Sequence, residues 1–313
     1  MIRLIVRRFL IAIPLILFVT FAVFVLIDRA PGDPAVTLAG EDPDPTRVAY
    51  LRKQLNLDDS VPVRWAKWFG KVLHGDLGNS LQTQQTVSDL VRSRFAVTLS
   101  LLVVSFVIAF AISFTLGILA SLRPRGLIDR IVTVICSIGV AAPTFWIAIL
   151  LVANFAVKRH LFPAVGYSPL GDGVWHWLRR LILPGLSLSL VLFAELTLQL
   201  KTAMTEVLGR DYILAAQAKG LSRSKVMFKH ALKNAGVVVS TVAGLQLAVV
   251  VGGTATIETV FGLRGIGDLA VGATLNRDVS VMLGVLLVAC VLVQIINLFV
   301  DIAYGYLNPK VRT

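Results

Sequence analysis

The chain has little charge. Only 15% of its 313 residues are Asp, Glu, Lys or Arg, where a soluble domain carries about a quarter. That scarcity excludes an ordinary water-soluble body. Cysteine is nearly absent. Cys136 and Cys290 both fall inside apolar runs and read as small buried hydrophobes, not as a disulfide or a metal pair. The four histidines are scattered without ligand spacing. No G-x-x-x-x-G-K-[ST] phosphate loop occurs. Gly252-Gly253 and "GLRGIGDL" lack its lysine and its strand-to-helix setting. The chain is therefore expected to be no enzyme and to bind no ATP, metal or other cofactor itself. There is no internal repeat and no low-complexity tract.

What is present is apolar length: 56% of the residues are hydrophobic. Six runs, roughly 9–27, 95–119, 131–157, 181–200, 235–257 and 279–300, approach or exceed the roughly 20 residues that span a bilayer. They are too long and too continuously apolar for barrel strands. Lipid offers backbone groups no partners, so they must be helices. The expected fold is an all-α polytopic membrane protein with six transmembrane helices. The first run follows Arg3, Arg7 and Arg8 and has no small-residue cleavage site after it, so it reads as an uncleaved span.

The net charge of +12 would suggest nucleic acid in a soluble protein. Here it lies between apolar spans, which points to lipid headgroups and orientation instead. With the N-terminus inside, the inner segments hold 15 Lys and Arg, against 6 in the two short outer loops and 9 in the long segment 28–94. The balance favours both termini inside. Lys158, Arg159, Arg179 and Arg180 run mildly against it and are expected at the interface.

Segment 31–94 reads as a small external subdomain. In "DPDPTRVAYLRKQL" a turn with Pro45 as its stop precedes a helix from about Thr46. "VPVRWAKWFGKVLHGDLG" is a second helix ending at Gly75. Trp65, Trp68 and Phe69 are candidate anchors.

The polar interruption between the fourth and fifth runs, "RDYILAAQAKGLSRSKVMFKHALKNA", carries a pattern of its own. Helix formers and small residues (Tyr212, Ala215, Ala216, Ala218, Lys219) lead to Gly220, placed as a positive-φ glycine that ends a helix. Leu221 comes next, then Ser222 as the N-cap of a second helix. On that helix Leu221, Phe228, Ala231, Leu232 and Ala235 are expected to share one face. Lys225, Lys229 and Lys233 form a stripe on another. Two readings fit: an interfacial helix with its lysines on lipid phosphates, or a docking element whose small residues let another protein approach.

This stretch resembles the cytoplasmic coupling loop of importer-type ABC transporter permeases, most closely the peptide-transport branch. "APGDPA" (Ala30–Ala35), "GDLGNS" (Gly75–Ser80), "ETVFGLRGIGDLAVGATLNRDVSVMLG" (Glu258–Gly284) and "NLFVDIAYGYLNPKVR" (Asn297–Arg312) resemble further motifs of that branch, in the same order and across essentially the whole chain. Valines at 237 and 238 stand where such permeases carry a proline. The resemblance implies a permease of the bacterial cytoplasmic membrane for di- or oligopeptides. It also implies a second homologous permease, an external substrate-binding protein and two ATP-binding subunits that hold the ATP and magnesium. The expected layout is a first helix (1–30), the external subdomain (31–94), the permease domain (95–305, coupling loop about 203–234) and a tail (306–313). Nickel, glutathione or glycopeptide importers share this architecture.

Within the runs Glu195 is the one charge, with Gln199 one turn on and Gln246 in the fifth run. Charge at membrane depth is expensive and faces the interior or water. The three are candidates for the substrate path. Equally, they suit inter-helix bonding, and a secondary transporter would use Glu195 as an ion or proton site. Pro143 is expected to kink the third run.

Overall fold

In the computed structural model, described for residues 2–29, 35–36, 44–54 and 56–307, the described residues are almost entirely helical, with one isolated antiparallel bridge, Asn79 to Thr86. Five helices are long and apolar enough to cross a membrane, and a bent pair makes a sixth crossing if counted as one span. The chain divides into two compact units. One holds Val97–Leu263 and Val293–Thr313, the other Arg3–Ala96 and Arg264–Leu292.

In the second unit, α1 (Ile2–Asp28) is the first span. Helix α2 (Pro45–Gln54) begins at Pro45 itself. The expected stop is instead the first helical position, where a missing N–H costs nothing. Asp44 precedes it and accepts the Thr46 N–H at 3.0 Å. The Thr46 hydroxyl and amide together hold the Asp44 carboxyl below its ordinary pKa. Helix α3 (Val61–Leu73) ends with His74 and Gly75 (φ +81°). Gly75 N–H bonds Val72 O and Asp76 N–H bonds Lys71 O, the double closure that a positive-φ glycine allows. Its aromatic face packs on α1: Trp65 lies 5.6 Å from Phe21 edge-on, and Trp68 lies 5.5 Å from Phe24. Trp65 donates to Thr20 Oγ1 at 3.1 Å, and Arg64 pairs with Asp28 at 2.7 Å. Trp65 and Trp68 therefore hold α3 to α1.

The core of this unit joins the start of α4 (Val87–Ser121), α10 (Ile266–Leu275) and the start of α11 (Val279–Leu307). Val87, Val91, Ile266, Leu269, Val281 and Val285 meet there. The "GDLGNS" turn is fastened to this core through Asp278. That buried carboxylate accepts Ser80 Oγ–H at 2.6 Å and Leu81 N–H at 3.1 Å, and it caps α11 through Val281 N–H. Two motifs 198 residues apart are thus one structural joint.

In the first unit, α4 continues beside α5 (Leu127–Ala141), α6 (Thr144–Leu151), α7 (Val174–Leu208) and α9 (Leu232–Val260). The expected third span is not one helix. At Ala142-Pro143 the axis turns by 105°. A residue before proline is pushed out of the helical region, and Ala142 sits at ψ 130°. Helix α6 then passes into a wide turn, Val152–Lys158. Helices α7 and α9 pack extensively on one another. Close approach of α7 to α4 needs Gly185, where a Cβ would sit 2.8 Å from Val104. Hydroxyls inside the bundle bond back along their own helices, as in Ser105 to Leu101 O at 2.7 Å and Thr197 to Phe193 O at 2.6 Å. That satisfies them where no water is available.

Candidate functional site

Helix α8 (Asp211–Ala218) begins two residues beyond the Gly209 that caps α7 and ends on Lys219 and Gly220. It buries only Ile213, at 0% exposure. Tyr212 (42%), Leu214 (57%), Ala215, Ala218 and Lys219 are exposed, and Ala216 is half-buried. Gly220 has φ +81°, and a Cβ there would meet nothing within 4 Å. Glycine is required by the backbone angle, not by space. Gly220 N–H bonds Gln217 O at 2.9 Å and Leu221 N–H bonds Ala216 O at 3.3 Å, so α8 ends as its sequence anticipates.

Ser222 caps the next helix: its Oγ accepts Lys225 N–H at 3.4 Å and its carbonyl accepts Val226 N–H at 3.0 Å. That second helix is not a separate element. One turn, Arg223–Lys225, passes through a wide turn, Val226–Ala231, straight into α9. The wide turn shifts the phase, and the expected apolar face is corrected by it. Val226, Ala231 and Ala235 are buried, whereas Phe228 is 54% exposed. Asn234, at the base of α9, donates to Tyr212 Oη at 3.2 Å and to His230 O at 2.7 Å. The bond to Tyr212 ties α8 to the start of the fifth span. The segment is thus an exposed helix joined through a turn and this hydrogen bond to a long transmembrane one.

Glu195 on α7 accepts a hydrogen bond from Gln246 on α9. Gln199 is exposed one turn further on. The structure brings two of the three candidates together and leaves the third apart. Their bond joins two extensively packed helices.

Sequence reasoning misses three polar groups. It places Glu258 beyond the fifth span, but α9 runs to Val260 and buries that residue completely (0%). Glu258 accepts Thr98 Oγ1–H at 2.6 Å. Asp129 on α5 pairs with Lys201 on α7, which also donates to Thr133 Oγ1 at 2.8 Å, and Arg125 N–H bonds Asp129 Oδ2 at 2.8 Å. Asp278 is the third. Acidic residues at the edges of apolar runs are the signal that marks all three.

At the opposite end of this unit from α8 the loops are cross-tied. Arg179 and Arg180 donate to Leu161 O (2.9 Å) and Val165 O (2.9 Å). Gly166 N–H bonds Phe261 O at 2.9 Å, and Tyr167 Oη lies 3.1 Å from Ser100 Oγ. Arg159 lies over the Phe155 ring at 5.4 Å. Among the described residues no cluster of His, Cys, Asp and Glu could hold a metal. Most of "APGDPA" and the end of "NLFVDIAYGYLNPKVR" lie outside the described residues.

Comparison with known proteins gives one consistent result. Residues 113–313 match the family described as binding-protein-dependent transport system inner membrane component, and residues 1–102 match its N-terminal counterpart. The chain is 37% identical to a probable peptide ABC transporter permease of Sinorhizobium fredii, over 98% of both chains. It is 34% identical to an oligopeptide transport system permease of Bacillus subtilis and 32% identical to a dipeptide transport system permease of Alkalihalophilus pseudofirmus, again over 98% of both. Among solved structures, an inward-facing methionine ABC transporter shares the fold. The TM-score is 0.53 at 20% identity, covering 67% of this chain and 94% of the other.

Proposed function

The chain belongs to the family of binding-protein-dependent transport system inner membrane components, and from that premise we propose that it is a permease subunit for di- or oligopeptides. The observation that carries the reading is the coupling element. An exposed helix, α8, buries one side chain, ends at Gly220 and is tied through Tyr212 and Asn234 to a transmembrane helix. The substrate class comes from the names of the full-length relatives.

In this reading the residues Tyr212, Ala215, Ala216, Ala218, Lys219, Gly220, Leu221 and Ser222 receive a pair of ATP-binding subunits, which carry ATP and magnesium. A second homologous permease completes the path, and an external binding protein delivers the peptide. Both termini lie inside, the bent pair counts as one crossing, and segment 31–94 lies outside. When the ATPase pair closes, α8 moves with it, and α9 transmits the shift to α7, a rigid-body mechanism. Glu195, Gln246 and Gln199 are the path residues we assign, and to Glu195 we assign the role of meeting a peptide amino group.

The test is reconstitution. The chain, a second permease, two ATPase subunits and a binding protein should give ATP-dependent peptide uptake in proteoliposomes. ATP-independent uptake by this chain alone would instead make it a secondary transporter.

A further inference from the structure

A groove of about 830 Å³ opens between α4, α9 and α11, within the first unit. Its walls are Phe106, Phe110 and Phe114 of α4 with Ile296, Phe299 and Val300 of α11. From Phe228 and Lys229 in the wide turn it runs along α9 to Leu247, about 27 Å between those last two at the rise of a helix. That exceeds the depth of one leaflet, roughly half of a 30 Å hydrocarbon core. Phe228 (54% exposed) and Phe299 (68%) stand open at its surface.

The polarity of the groove is confined to one end. Lys229, in the wide turn, and Lys233, at the start of α9, both line it there. No Asp or Glu lines the groove. Neither lysine joins an ion pair among the described residues. The Ser240 hydroxyl already donates to Val237 O at 2.9 Å. Two like charges at this spacing repel, and an anion between them would relieve both. An apolar partner helix would leave them unanswered. An acyl chain below a phosphate answers both features, and basic pockets between transmembrane helices are a known way to hold anionic headgroups.

We propose that this groove binds one anionic phospholipid, its phosphate between Lys229 and Lys233 and an acyl chain against the phenylalanines of α4. The lipid then sits at the base of α9, beside the turn that joins it to α8. The proposal holds whichever solute the permease carries.

The full chain, purified with its partner subunits into nanodiscs of mixed phosphatidylglycerol and phosphatidylcholine, is ejected and weighed by native mass spectrometry. Phosphatidylglycerol should be retained in preference to phosphatidylcholine. Lys229→Ala and Lys233→Ala should each lower that preference roughly fivefold, the effect of one basic residue near an anionic surface. The Lys229→Arg/Lys233→Arg double variant should keep it, which separates loss of charge from misfolding. Lys225→Ala, on the same stripe but outside the groove, should leave it unchanged. Equal retention in the double alanine variant overturns the site. So does an equal loss in Lys225→Ala, which would reveal only diffuse surface attraction. A photo-crosslinker at position 299 that captures a partner subunit's helix in place of lipid also overturns it.

Discussion

The two ends of the bundle unit are built in opposite ways. At one end, the loop from Leu161 to Tyr167 is pinned by Arg179, Arg180, Phe261 and Ser100, and the nearby Glu258 is sealed against Thr98. At the other, α8 holds to the rest of the chain through Ile213 and one Tyr212–Asn234 hydrogen bond, with its remaining side chains mostly exposed. One end is closed largely by the chain's own bonds, whereas the other leaves a helix face open. Family membership says what kind of machine this is, and in the proposed reading the open helix face receives its ATP-binding subunits.

Changes at the two ends should therefore fail differently. The largest effect is expected from Gly220→Pro. A proline cannot adopt φ +81° and loses the N–H that bonds Gln217 O. Peptide uptake should fall to background while membrane insertion and permease pairing persist; normal uptake would remove α8 from the coupling role. At the tied end, Glu258→Ala should leave the Thr98 hydroxyl buried without its carboxylate and cost about 1 to 3 kcal/mol of stability. That loss is readable as a lower melting temperature in detergent, with the ATPase subunits still bound. If Glu258→Ala released the ATPases and kept its stability, the division between the ends would be wrong.

Glu195→Gln comes next. It keeps a hydrogen-bonding partner for Gln246 but removes the charge. Uptake rates or preferences among several peptides should change, with folding retained. Identical uptake across the panel would return Glu195 to a purely inter-helix role. The smallest effect is expected from Tyr212→Phe, which removes one exposed bond worth about 0.5 to 1 kcal/mol. Coupling efficiency, measured as peptide transported per ATP, should fall by roughly two- to fivefold without loss of assembly.

Much of this is legible in residue order. Gly220 and Ser222 announce a stop and a start because positive φ and N-capping are local demands. The apolar runs locate the candidate crossings because length and hydropathy are local as well. The failures share a cause. Pro143 marks the kink of the run 131–157 in advance, but nothing in its hydropathy reports that the turn reaches 105°. Glu258 resembles the end of a helix because an isolated carboxylate belongs in water, yet Thr98, 160 residues away, supplies its partner. Asp129 and Lys201 likewise pair only once α5 packs on α7. The wide turn Val226–Ala231 shifts the phase of its helix, so counting in fours misplaces the apolar face. Pro45 opens a helix that it is expected to precede. The helix of α8 and its stop at Gly220 are legible by pattern, whereas the Tyr212–Asn234 bond that joins α8 to α9 is not.

Site-directed crosslinking tests the central claim most directly. In a background with Cys136→Ala and Cys290→Ala, single cysteines at Ala215 and Ser168 report on the open and the tied end. With the assembled transporter in membranes, the Ala215→Cys variant should crosslink to an ATP-binding subunit and lose uptake when it does, whereas Ser168→Cys should not. A crosslink to the ATPase from position 168, or none from position 215 in a transporter that still works, would contradict the account.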